Sequence, residues 1–141
     1  MRRHNTTIER LGAVPLFAAC QRAELMLIAR TLCEHHVPAG RILMRQGDVG
    51  RDFAVIVDGT ATVLVDDRAI ATLGAGALVG EIAVLDRRPR TATVVAETDL
   101  VTQVGTASDL VELIAHAPNM TRKVLAGLAG RLRAATLEVA P

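Results

Sequence analysis

Between Gly40 and Gly105 no apolar run outlasts a short strand, and a turn signal separates each run from the next. The runs are Ile42–Met44, Phe53–Val57, Ala61–Val65, Ile70–Leu73, Ala92–Val95 and Leu100–Val104. The breaks are Gln46-Gly47-Asp48, Asp58-Gly59, Asp66-Asp67, Gly74-Ala75-Gly76 and Glu97-Thr98-Asp99. Short strands at such close spacing predict an antiparallel β-roll, jelly-roll-like in layout. The chain has two Phe and neither Tyr nor Trp, so the core must be built from Val, Leu, Ile and Ala.

Helical spacing flanks this region on both sides. Thr6 or Thr7 is placed to cap a first helix, with Glu9 in its first turn. Pro15 interrupts, and Leu25, Ile28, Ala29 and Leu32 then recur at helical spacing through Gln21–Cys33. Pro38-Ala39-Gly40 closes this lead-in. After Gly105, Ser108 is a candidate N-cap for Asp109–His116, and Pro118 breaks the chain. Asn119 or Thr121 then starts a final helix to about Leu137. Its apolar stripe is Met120, Val124, Leu128 and Leu132, with Leu125 beside it. The 141 residues read as one α+β domain. A helical lead-in occupies residues 1–36, the β-roll 37–105, and a hinge with closing helices 106–141.

Other classes find little support. A net charge of +1 argues against a chain built to coat nucleic acid. No apolar run reaches a membrane span, and residues 1–10 do not lead into a signal-type stretch, so a cytoplasmic protein is expected. Cys20 and Cys33 are expected as reduced, largely buried thiols, without metal-ligand spacing. His35-His36 diverge in any extended backbone, and the His-x-His of a cupin is missing, so no metal is expected. Asp66-Asp67 reads as a solvated hairpin turn, and Arg87-Arg88 either assists anion capture or forms an exposed loop pair. No nucleophile–base set points to an enzyme.

The chemistry concentrates in Val79-Gly80-Glu81-Ile82-Ala83-Val84-Leu85-Asp86-Arg87-Arg88-Pro89-Arg90-Thr91-Ala92-Thr93. A guanidinium grips a phosphate through two parallel charge-assisted hydrogen bonds. A carboxylate accepts from hydroxyls. Gly80 lets backbone approach closely, and a short turn or helix at Gly80–Val84 turns its first amides toward an anion. Pro89 holds Arg88 extended and fixes the approach to Arg90. Together they suit a ligand that offers both hydroxyl and phosphate.

This string resembles the phosphate-binding cassette of the cyclic nucleotide-binding domain. That family includes bacterial catabolite activator proteins, protein kinase A regulatory subunits and cyclic-nucleotide-gated channels. Pro38-Ala39-Gly40, Leu43 with Gln46-Gly47-Asp48, Phe53, Ile56, Asp58-Gly59, Pro118 and Arg131-Leu132 extend the resemblance over nearly the whole chain. It implies that Glu81 holds the ribose and Arg90 the phosphate oxygens, with Gly80, Ile82, Ala83, Thr91 and Ala92 lining the anion site. It places Arg131 where the final helix reaches toward the nucleotide, and Leu128, Arg131 and Leu132 as the purine lid. Two positions depart from the pattern. Ala135 replaces the Thr that touches adenine, and Val79 stands where many relatives have Phe. Thr91 is compatible with cGMP, but cAMP is favoured.

The resemblance implies a sensor whose closing helices shift on ligand binding, without a cofactor. A homodimer through the final helix and an unidentified effector protein or domain are expected partners. Direct DNA binding is not expected, because no helix-turn-helix follows the final helix. The alternative is a module of the same fold that dimerises or docks without ligand.

Overall fold

The computed structural model describes residues 2–139, with side chains over residues 7–137. Helix α1 (Arg2–Gly12), a 3-10 turn at Pro15–Phe17 and α2 (Arg22–Thr31) lead in. The strands are β1 (Cys33–Val37), β2 (Ile42–Met44), β3 (Asp52–Asp58), β4 (Ala61–Val65), β5 (Arg68–Leu73), β6 (Leu78–Val79), β7 (Thr93–Ala96) and β8 (Leu100–Thr106). Helix α3 (Glu81–Asp86) sits between β6 and β7, and α4 (Ala107–His116) and α5 (Pro118–Val139) follow β8. One four-stranded sheet runs β1-β8-β3-β6 and the other β2-β7-β4-β5, with every pairing antiparallel. This is the α+β arrangement of an antiparallel β-roll flanked by helices.

Strand β3 explains how the two halves share one body. Its run Phe53–Ile56 is buried throughout, since both faces of the strand are covered. Side chains alternate across a strand. Ala54 and Ile56 join Met44, Ala61, Val79, Val94, Ala96 and Leu100 inside the roll. Phe53 and Val55 join Leu11, Phe17, Ile28, Leu110 and Leu113 in a second core beneath the helices.

Several boundaries differ from the sequence reading. Helix α1 begins at Arg2, ahead of Thr6 and Thr7, because nothing in the preceding residues breaks a helix. The lead-in helix ends at Thr31, and Cys33–Val37 is strand β1. An edge strand with exposed side chains needs no apolar alternation, which is why its CEHHV sequence gave no strand signal. For the same reason Cys33 is exposed rather than buried, while Cys20 is half-buried. The pair Leu78–Val79 is too short to register as a strand, and β7 starts one residue after Ala92.

Thr106, not Ser108, caps α4. Its Oγ accepts from Asp109 N at 3.2 Å, and Asp109 Oδ2 accepts from Thr106 N at 2.9 Å. Pro118 opens α5 itself, the position where a missing N–H costs nothing. The α5 stripe is buried only in part. Met120 is covered and Val124 and Leu128 are half-buried, but Leu125 is 61% and Leu132 69% exposed. Asp66 and Asp67 form the β4–β5 turn with φ of 51° and 64°, as a tight hairpin requires.

Candidate functional site

Residues 78–92 fold over the mouth of the roll. Strand β6 pairs Val79 with Ala54, and Gly80 then turns the chain into α3. Gly80 has φ 81°, and a Cβ there would stand 2.5 Å from Arg90 Nη1. Only glycine meets both demands. Gly50 makes room from the other side, where a Cβ would stand 2.5 Å from that of Ala83 and 3.3 Å from Arg90 Nη1. As at the start of any α-helix, the opening amides of α3 find no acceptor within it.

Arg90 is buried and held from three directions. Its Nη2 donates to Asp52 Oδ1 at 2.8 Å and to the Asp52 carbonyl at 2.9 Å. Its Nη1 lies 3.5 Å from the Gly80 carbonyl. The backbone is pinned too, with Arg90 N donating to Asp48 O and Gly47 N to Arg90 O, both at 2.9 Å. These bonds aim the guanidinium and leave further donors of its fork for an anion.

Glu81 is 2% exposed. Its Oε1 accepts from Arg131 Nη1 of α5 at 2.8 Å. A buried carboxylate demands such a partner, and here the partner comes from a different helix, fifty residues on. The four charges of the site pair off as Arg90–Asp52 and Arg131–Glu81.

These groups ring one end of a cavity of about 380 Å³, within the range of small-molecule sites. Gly80, Glu81, Ile82, Ala83, Arg90, Thr91 and Ala92 all line it. The opposite wall is apolar: Met44, Val63, Val65, Ile70, Leu73, Val79 and Val94. Among the described residues the Thr91 hydroxyl has no protein partner, and the residue is exposed at the rim.

Of the three expected lid residues only Arg131 reaches the cavity. Leu128 is half-buried elsewhere, and Leu132 points to solvent because it sits about 100° round the helix from Arg131. Ala135 lies outside the cavity lining as well, and Val79 forms part of the wall. His35, His36, Asp66 and Asp67 stand apart from the lining, and Arg87 and Arg88 are exposed. Sequence reasoning missed Asp52 and the Arg131–Glu81 pairing. An acidic residue opening an apolar strand signals Asp52 only once Arg90 needs a counter-charge.

The profile of the cyclic nucleotide-binding domain matches residues 34–117. Over 90 residues the chain is 42% identical to a cyclic nucleotide-gated potassium channel of Rhizobium etli, covering 64% of this chain and 25% of the channel. It is 31% identical over 130 residues to the cyclic AMP receptor protein of Thermus thermophilus, covering 89% of this chain and 60% of the receptor. The crystal structure of the Thermus thermophilus catabolite activator protein superposes with a TM-score of 0.80 at 31% identity, over 89% of this chain and 61% of that one. The chain therefore spans only part of the length of these relatives. With the matched region running from β1 through the cassette to the end of α4, the chain belongs to the cyclic nucleotide-binding domain family.

Proposed function

We propose that the cavity binds a cyclic nucleoside monophosphate, cAMP ahead of cGMP, and that binding resets α5. One observation carries the reading: seven cassette residues converge on a single cavity that Arg131 closes from α5. Arg90 takes the phosphate oxygens and Glu81 the ribose hydroxyl. Gly80, Ile82, Ala83, Thr91 and Ala92 shape the anion end. The apolar wall of β4 and β5 takes the purine. The preference for cAMP draws support from the likeness to a receptor named for cyclic AMP, while the free Thr91 hydroxyl leaves cGMP a second ligand.

Coupling requires that the ligand favour one position of α5 over another. Arg131 holds Glu81 Oε1, and the ribose hydroxyl takes the other oxygen of the same carboxylate, so the ligand and α5 reinforce each other's hold on Glu81. No catalytic step is involved; the output passes to an effector protein or domain. The exposed Leu125 and Leu132 support a homodimer through α5, since with Leu128 they follow the three-and-four spacing of a helical seam. No helix among the described residues is long and apolar enough to cross a membrane. The two unpaired thiols favour a reducing, cytoplasmic setting.

Calorimetric titration with cAMP and with cGMP tests the reading. Micromolar binding that disappears in Arg90→Ala supports it. A native chain that takes up neither nucleotide rejects it, and a dimer indifferent to both points to a ligand-independent docking module.

A further inference from the structure

Glu24 on α2 is 6% exposed and lies outside the cavity. Its two oxygens accept three hydrogen bonds, from the starts of two helices. Oε1 accepts from Gln21 N at 3.1 Å and from Asn119 Nδ2 at 2.6 Å, and Oε2 from Asn119 N at 3.0 Å. One side chain thus caps its own helix and, 95 residues away, the start of α5.

The start of α5 has special need of such a cap. Pro118 offers no N–H, so the Asn119 and Met120 amides are the first donors left without an intrahelical acceptor. A full negative charge there also complements the helix dipole. The contact is shielded from water, so it directs the helix rather than merely decorating it.

Farther along, α5 has few other ties. Val124 and Leu128 are half-buried and the rest of that stretch faces solvent. Arg131 lies roughly 18 Å beyond Asn119 at the rise of an α-helix. A tilt of about 10° at the cap would move it about 3 Å over that lever, enough to part Arg131 from Glu81.

We propose that Glu24 is a positioning residue for the ligand site: by capping α5 it sets where Arg131 meets Glu81, and so sets cyclic-nucleotide affinity from outside the cavity. The proposal rests on the reading of the cavity as a cyclic-nucleotide site. Glu24→Gln keeps the shape but turns an amide donor toward the two Asn119 donors.

The test is cAMP affinity by calorimetry in a double-mutant cycle with Arg131→Ala. The expected result is at least tenfold weaker binding for Glu24→Gln in the native background and less than a twofold effect once Arg131 is Ala. A merely structural role would lower affinity equally in both backgrounds, and that result overturns the proposal, as does native affinity in Glu24→Gln. If Glu24→Gln does not fold, Asn119→Asp, which sets a second carboxylate against Glu24, is measured by the same criterion. A native chain that binds neither cAMP nor cGMP removes the cavity reading and this proposal together. A native chain that binds as Glu24→Gln does removes only the role of Glu24.

Discussion

Arg131, three turns into the last helix, donates to Glu81 at the first position of α3 across 2.8 Å. The two members are unequally placed. The Glu81 side chain is 3% exposed and that of Arg131 is 56% exposed. Removing Arg131 strands a buried charge, whereas removing Glu81 leaves only a solvated one. Arg131→Ala should therefore destabilise the fold by about 1–2 kcal/mol, the cost of leaving a buried acceptor without its hydrogen bond. Glu81→Ala should cost much less by this route. Thermal unfolding of both variants checks the asymmetry, and equal losses would contradict it.

The ribose assignment has its own signature. The native chain should bind 2′-deoxy-cAMP about tenfold more weakly than cAMP, the worth of one hydrogen bond to a charged acceptor. Glu81→Ala should bind the two ligands alike. Competition measurements that find Glu81→Ala still selective for the 2′-hydroxyl would move that contact to another residue.

Gly80→Ala should disable the site from the backbone. The residue has φ 81°, and the new Cβ would meet Arg90 Nη1 and the Met44 thioether. The conformational strain alone is about 1 kcal/mol, and the displaced guanidinium adds a loss of ligand affinity. A lowered melting temperature together with weakened cAMP binding is expected; full binding would show that Arg90 can act from another position.

Acid should weaken the fold through Glu24. Burial acts to raise its pKa, but hydrogen bonds from the Asn119 side chain and from the Gln21, Asn119 and Met120 amides outweigh it, so the group titrates below the ordinary 4.5. A carboxyl depressed by folding contributes stability above its unfolded pKa and loses it as pH falls through the folded value. The melting temperature should fall on acidification below pH about 4.5, and the fall should be shallower in Glu24→Gln.

The two thiols should separate chemically. Burial, then the neighbouring Glu24 charge and a hydrogen bond to its carboxylate, push Cys20 up to about 11. The thiolate is the nucleophile, so Cys20 should resist alkylation at neutral pH while exposed Cys33 reacts. Mass spectrometry after brief maleimide treatment should find one adduct, on Cys33.

Much of this was legible in the residues themselves. The runs that became β3, β4 and β8 announce themselves because each has at least one dry face. The cassette is legible because Gly80, Glu81, Pro89 and Arg90 each carry a distinct chemical demand within one short segment. What was hidden depended on partners distant in sequence. Strand β1 exists through its pairing with β8, from Cys33 opposite Val104 to Val37 opposite Leu100, and its own side chains advertise nothing. Asp52 and Glu24 look like ordinary surface acids until folding brings Arg90 and the start of α5 against them. The α5 stripe misled because apolar spacing shows which face is apolar, not how far along a helix there is something to cover it.

Strand β3 feeds two cores from alternate residues, and this limits where the chain accepts editing. Inserting a single residue before Phe53 would send the small Ala54 to the helical side and large side chains into the roll, exchanging both fillings at once. The exposed β1 and β5 edges carry no such double duty. Tags, labels or grafted peptides belong in the β4–β5 turn at Asp66-Asp67, and the interior of β3 should be left untouched.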